Sequence, residues 1–233
     1  MYQVNILHLI DGAKQAEGLT VIIDVFRAFS LECYLYDMGI KEIRPVETIE
    51  EAFSLGSRIP NSILIGERGG KKCDGFDYGN SPSTISKEWV VGKTIIHTTS
   101  AGTQGIVNAV GASEIITGSL VNAKAVAEYI MAKEPEVVSI VCMGNGGVSL
   151  AAEDELCAEY IKSILEGKEF PDFEKRVSEL RNNGGEHFFD QSRQNIFPEA
   201  DFWMCVKYNL FPFVIRVERD RLGFITRKEN ITH

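Results

Sequence analysis

The 233-residue chain contains no apolar run that approaches the 18 or so residues needed for a membrane-spanning helix. No membrane role is therefore expected. Positive charge is also in short supply: 24 Lys and Arg stand against 33 Asp and Glu, a formal net charge of -9. A nucleic-acid partner is not expected on that balance, because phosphate-backbone binders carry an excess of cations. A small anionic ligand stays allowed, since a few local cations or a metal ion can override the global field. Cys33, Cys73, Cys142, Cys157 and Cys205 are odd in number and never two residues apart, so neither a disulfide framework nor a zinc finger is implied. The first residues lack a basic segment followed by an apolar one, and a reduced, cytoplasmic protein is expected. No stretch rich in Pro, Gly or Ser divides the chain. Residues 1–233 thus read as one domain, with 168–233 as a C-terminal extension packed on the main sheet. The strings GxGxxG and GxxxxGK[ST] are both missing, which disfavours a dinucleotide oxidoreductase and a P-loop enzyme.

What is present is a rhythm of short β-branched runs at 19–25, 62–65, 94–96, 114–116 and 137–141. Between them lie helix-like stretches at 30–38, 49–55, 105–110, 122–131 and 151–165. Alternation of this kind predicts an α/β fold, a three-layer α/β/α sandwich on a mostly parallel or mixed sheet. The run ending at Asp24 and the run ending at His97 are each followed by a polar loop, a helix, a Gly turn and a second strand that ends near Pro45 or Gly118. This echo is either an internal βαβ duplication or a chance recurrence of a common unit. Residues 213–217 and 222–226 read as a terminal hairpin.

Four segments carry the polar groups that chemistry needs. IIDVFRAFS (22–30) places Asp24, Arg27 and Ser30 at the carboxyl end of a strand, where ligands of open α/β sheets bind. A helix-capping Asp with an Arg partner is the plainer alternative. IGERGGKKCDGFDYGNSPS (65–83) mixes Glu67, Asp74 and Asp77 with Arg68, Lys71 and Lys72 among five glycines. Glycines let backbone amides approach an anion, carboxylates suit a hard metal and guanidinium suits phosphate. HTTSAGTQG (97–105) offers hydroxyls at Thr98, Thr99, Ser100 and Thr103 beside a helix start, an anion cradle or simply a set of caps. His97, directly after an apolar run, reads as a packed histidine. In VCMGNGGVSLAAEDELCAEYIKSIL (141–165) the apolar stripe of the helix runs back to Glu153, with Asp154 about 100° around from it. An inward carboxylate requires a partner, and a metal or a cation is the economical one.

DVFRAFS, GERGG with GFDYGNSPS, TTSAGT, and GNGG with AAEDELCA, in this order and spacing, resemble the 2-phosphosulfolactate phosphatase family through about 140 residues. The resemblance implies an α/β fold particular to that family and a Mg²⁺-dependent phosphohydrolase. It would convert 2-phospho-3-sulfolactate to 3-sulfolactate and phosphate, a coenzyme M biosynthesis step. Phosphatase action on another small phosphorylated hydroxy acid, or a non-catalytic anion-binding module on the same fold, is the alternative.

The residues suit such a substrate. An acid-lined site would repel it, and a divalent cation inverts that sign. Asp24, Glu67, Asp77, Glu153 and Asp154 are the expected metal ligands. Asp24, Arg27 and Asp77 are expected to act in catalysis, and Arg68, Asn80, Ser81, Thr98, Thr99, Thr103 and Asn145 to bind substrate. Attack by a water is favoured over attack by Asp24, because the DxDx[TV] pattern has Phe26 at its third position. The expected partner is a small anionic phosphorylated substrate, and a homo-oligomer is allowed.

Overall fold

In the computed structural model, residues 3–231 are described, and their strands join in one sheet. In chain order these are β1 (Gln3–His8), β2 (Gly18–Ile23), β3 (Glu42–Pro45), β4 (Ser62–Arg68) and β5 (Lys71–Lys72). They continue with β6 (Thr94–Thr98), β7 (Ala112–Gly118), β8 (Val137–Cys142), β9 (Phe213–Asp220) and β10 (Gly223–Asn230). The helices are α1 (Leu9–Gln15), α2 (Ala28–Asp37), α3 (Ile49–Arg58), α4 (Lys87–Val90) and α5 (Gly102–Asn108). The second half adds α6 (Ala123–Lys133), α7 (Ala152–Leu165), α8 (Phe173–Glu179) and α9 (Glu199–Cys205).

The strand order is β1-β8-β2-β7-β9-β10-β3-β6-β4-β5. One parallel group (β1, β8, β2, β7) and a second (β3, β6, β4) are joined by β9 and β10, which pair antiparallel with each other and with both flanks. The α/β class and the mostly parallel sheet agree with the sequence reading. The echoed units are β2-α2-β3 and β6-α5-β7, and each starts in one parallel group and ends in the other.

The place of the tail needs correction. Residues 213–230 do not merely pack on the sheet; as β9 and β10 they are its central strands. The hairpin is legible locally, but its insertion between two parallel groups depends on contacts distant in sequence.

Both faces of the sheet are covered, as alternation along β2 shows. Val21 and Ile23 join a core with α6 and α7, whereas Ile22 points to the opposite core with Ala28, Phe29 and Ile106. Close approach of α5 to this second face depends on Gly105. A Cβ there would stand 2.5 Å from Ile22 Cγ2 and 2.6 Å from Met143 Sδ. Gly105→Ala gains up to about 1 kcal/mol of helix propensity but overpacks a full core at a cost of about 1–3 kcal/mol. A lower urea midpoint is the expected result, and a raised midpoint would show that this packing is slack. No helix among the described residues is long and apolar enough to cross a membrane.

Candidate active site

The carboxyl ends of β2, β4, β6 and β8 meet at one cavity of about 350 Å³. The two parallel groups run in opposite senses, and the loops at their carboxyl ends nonetheless share this cleft. Its wall combines Asp24, Glu67, Asn80, Ser100 and the Gly144–Gly146 turn with a cationic and aromatic group, Arg27, His187, Arg193 and Phe197.

Asp24 lies just past β2, between the first turns of α2 and α5. Its Oδ1 accepts from the Ala28 amide at 3.1 Å. Gly102 opens α5 beside it, where a Cβ would come within 2.9 Å of Asp24 Oδ2. Burial, with the charge of Glu67 added, pushes Asp24 up to about 6 although the Ala28 and Gly102 amides oppose the rise. Glu67 ties two loops together: Oε1 accepts from the Ser100 amide at 2.7 Å, and Oε2 from the Gly70 amide at 2.7 Å and the Ser100 hydroxyl at 3.2 Å.

Arg27 lines the same cavity. Its guanidinium donates to Asp201 Oδ2 at 2.7 Å, to the Ile196 carbonyl at 2.9 Å and to the Gly70 carbonyl at 3.2 Å. It also lies 4.8 Å from the Phe197 ring centre, and it is 3% exposed. An Arg held this firmly presents a fixed charge and has little side-chain entropy left to lose on binding. Arg193 stacks over the same Phe197 ring at 4.6 Å. Burial together with the Arg27 and Arg193 charges pushes His187 down to about 4, so it is a neutral imidazole at neutral pH.

The match to known proteins follows the same segments. Residues 5–220 fit the model of the 2-phosphosulpholactate phosphatase family. The chain belongs to that family. It is 32% identical to a probable 2-phosphosulfolactate phosphatase of Bacillus subtilis over 87% of this chain and 88% of the relative. It is 36% identical to one of Carboxydothermus hydrogenoformans over 91% and 92%, and 43% identical to one of Caldicellulosiruptor saccharolyticus over 67% and 65%. The chain is an enzyme, a phosphoric monoester hydrolase.

Within this phosphatase-family fold, the expected acids occupy different settings. Asp154 is buried, yet its oxygens accept from the Val25 and Gly144 amides, each at 2.8 Å, so it clasps the loops after β2 and β8. Burial, Glu153 and Asp24 push it well up, against these two donors. Glu153 is 3% exposed and its Oε2 has no hydrogen-bond partner. Burial, with Asp24 and Glu186 adding to it, pushes Glu153 up to about 7. Asp77 is exposed, accepts from the Leu64 amide at 2.8 Å, and lines a neighbouring cavity with Ser81 and Lys71. Among the described residues, no three of the five acids bring carboxylate oxygens within 4.8 Å of one another.

The expected substrate binders divide similarly. Asn80 and Asn145 line the main cavity. Ser81 donates to Asp201 Oδ1 at 2.9 Å. Arg68 turns to the Glu67 and Glu47 carbonyls and to Thr98 Oγ1. Thr99 and Thr103 consume each other's hydroxyls in a reciprocal cap, with Thr99 N to Thr103 Oγ1 at 2.9 Å and Thr103 N to Thr99 Oγ1 at 3.1 Å. None of Arg68, Thr98, Thr99 or Thr103 lines the main cavity. His97 is packed as expected and spans Glu32 at 2.8 Å and Asn80 Oδ1 at 3.0 Å, which orients the Asn80 amide at the cavity wall. His187, Arg193, Phe197 and the Arg27 anchor Asp201 were missing from the expected site. Their only signal in the sequence is a cluster of aromatic and cationic residues in a segment without regular periodicity.

Proposed function

We propose that this cavity hydrolyses 2-phospho-3-sulfolactate to 3-sulfolactate and phosphate, a reaction of the coenzyme M biosynthesis type, with Mg²⁺ as cofactor. The observation that carries the reading is that a fixed Arg27 and a buried Asp24 line one polar cavity. Family membership and the names of the relatives support the substrate.

The residues fit a hard cation in a particular way. Asp154 and Glu67 spend their oxygens on backbone amides, whereas Glu153 keeps a buried oxygen without a donor and Asp24 is pushed up beside another acid. Asp24 and Glu153 are therefore the acids that would hold Mg²⁺, which commonly takes one or two carboxylates and completes its shell with waters and substrate phosphate. When bound, Mg²⁺ supplies Lewis acidity towards a phosphoryl oxygen.

The protein's own residues do the rest. Arg27 and Arg193 bind anionic oxygens, and Gly69, Gly70 and the Gly144–Gly146 turn line the same space without side chains to fill it, apart from that of Asn145. His187, neutral at pH 7, exchanges a hydrogen bond with substrate without adding charge. Water attacks phosphorus, the ester P–O bond breaks, and the departing alkoxide takes up the proton. All five cysteines are free and buried, which suits a cytoplasmic setting.

Phosphate release from 2-phospho-3-sulfolactate should require Mg²⁺, stop in chelator and return when Mg²⁺ is restored. Full activity in chelator would remove the metal from the reading. Release only from a different phosphorylated hydroxy acid would change the substrate, and binding of anions without release from any ester would leave an anion-binding module.

A further inference from the structure

A second group of ligand-type side chains stands apart from the phosphatase cavity. His8 closes β1 and Cys142 closes β8, and the parallel register makes them direct neighbours. Glu155, in the first turn of α7, reaches the same place, with its Oε2 3.0 Å from His8 Nε2. The His8 ring nitrogen, Cys142 Sγ and a Glu155 carboxylate oxygen all lie within 4.8 Å of one another. None of the three lines the main cavity.

Burial gives this cluster a floor and a mouth. The Cys142 thiol is fully buried, while the His8 and Glu155 side chains are 41% and 27% exposed. An ion can thus enter from solvent past the imidazole and carboxylate and meet sulfur beneath. A separate observation points the same way: Glu155 Oε1 is buried and has no hydrogen-bond partner. A buried carboxylate oxygen without a donor is costly, and a cation is a group that satisfies it.

We propose that His8, Cys142 and Glu155 form a binding site for a borderline-soft divalent ion of the Zn²⁺ class. The donor set decides the class. Nitrogen, thiolate and carboxylate suit Zn²⁺, whereas the all-oxygen pair Asp24 and Glu153 suits a hard ion. Tetrahedral binding at the usual distances of about 2.0–2.3 Å separates ligand atoms by roughly 3.5 Å. His8 Nε2 and Glu155 Oε2, 3.0 Å apart, are already near that spacing, and with no two of the ligand atoms more than 4.8 Å apart the cluster needs side-chain adjustments of only about 1 Å, water taking the fourth position. Binding replaces the S–H bond of Cys142 by a sulfur–metal bond and releases the proton to solvent. The ion would pin β1, β8 and the start of α7 together. The proposal does not depend on the phosphatase reading.

Co²⁺ titration of the full-length, chelator-treated protein tests the site without any activity assay. One equivalent should produce a near-ultraviolet thiolate-to-cobalt charge-transfer band and the strong visible bands of a four-coordinate ion. Excess Zn²⁺ should displace the Co²⁺, and millimolar Mg²⁺ should not. Cys142→Ala should abolish the charge-transfer band. Should that variant fold poorly, His8→Ala and Glu155→Gln, both at the partly exposed mouth, provide the same test. Each should weaken Co²⁺ binding by more than the roughly 10–100-fold that outer-shell changes cost. Absence of the charge-transfer band in the folded parent, or its survival at full strength in His8→Ala and Glu155→Gln, would overturn the assignment.

Discussion

Asp24→Asn is expected to lower kcat/KM by on the order of 10²–10⁴-fold, the range lost with a group that handles a proton or a charge at the reacting centre. The same variant should be more stable than its parent, for a reason rooted in burial. Asp24 is held in the folded protein at about 6 against an ordinary 3.8. A carboxyl raised in this way binds its proton more tightly folded than unfolded, so stability declines as pH rises from about 4 to about 6 and stays reduced above that. At about 1.4 kcal/mol per pH unit, the penalty near pH 7 is roughly 3 kcal/mol. Asparagine removes it while its carbonyl can still accept from the Ala28 amide. Urea unfolding in chelator should show the stabilisation at pH 7 and its disappearance near pH 4, alongside the activity loss. A parent-like rate would take Asp24 out of the chemistry. Unchanged stability at both pH values would show that water reaches the carboxylate despite its burial.

That opposition of function and stability marks what a sequence can disclose of this site. Strand-end polar residues are legible because a β-branched run followed by a polar residue is a local pattern, and Asp24, Glu67 and Asn145 do line the cavity. The inward face of α7 is legible from helical spacing, and Glu153 and Asp154 are both buried. What Asp154 meets is not legible, because the amides of Val25 and Gly144 arrive from loops far away in the chain. The hydroxyls of Thr99 and Thr103 show the converse: a sequence displays donor capacity but not its consumption, and these two satisfy each other. The cationic wall was missed because His187 and Arg193 lie in short 3₁₀ turns, Glu186–Phe189 and Gln191–Arg193, which have no amphipathic period to reveal a buried face.

The Arg27–Asp201 pair joins these two halves of the site across 174 residues, and its removal should separate their contributions. Both side chains are buried, at 3% and 0% exposure, and Asp201 also accepts from the Ser81 hydroxyl at 2.9 Å and the Ser83 amide at 3.0 Å. Asp201→Ala leaves a guanidinium in the core without its counter-charge, a change expected to cost about 3–5 kcal/mol. Arg27→Met leaves the reverse orphan, softened by the two donors that stay with Asp201. The double variant Arg27→Met/Asp201→Leu removes both charges and fills similar volume, so it should be more stable than the sum of the single effects, by the 0.5–3 kcal/mol or so typical of coupled neighbours. Activity should follow a different order. Arg27→Met and the double variant both lack the cavity guanidinium and should be equally impaired, whereas Asp201→Asn, which keeps Arg27 and one acceptor, should retain more activity than either. Strictly additive stabilities would dissolve the pair as an energetic unit. Parent-like kcat/KM in Arg27→Met would show that the substrate's anionic groups are held elsewhere, with Arg193 the next residue to test on that wall.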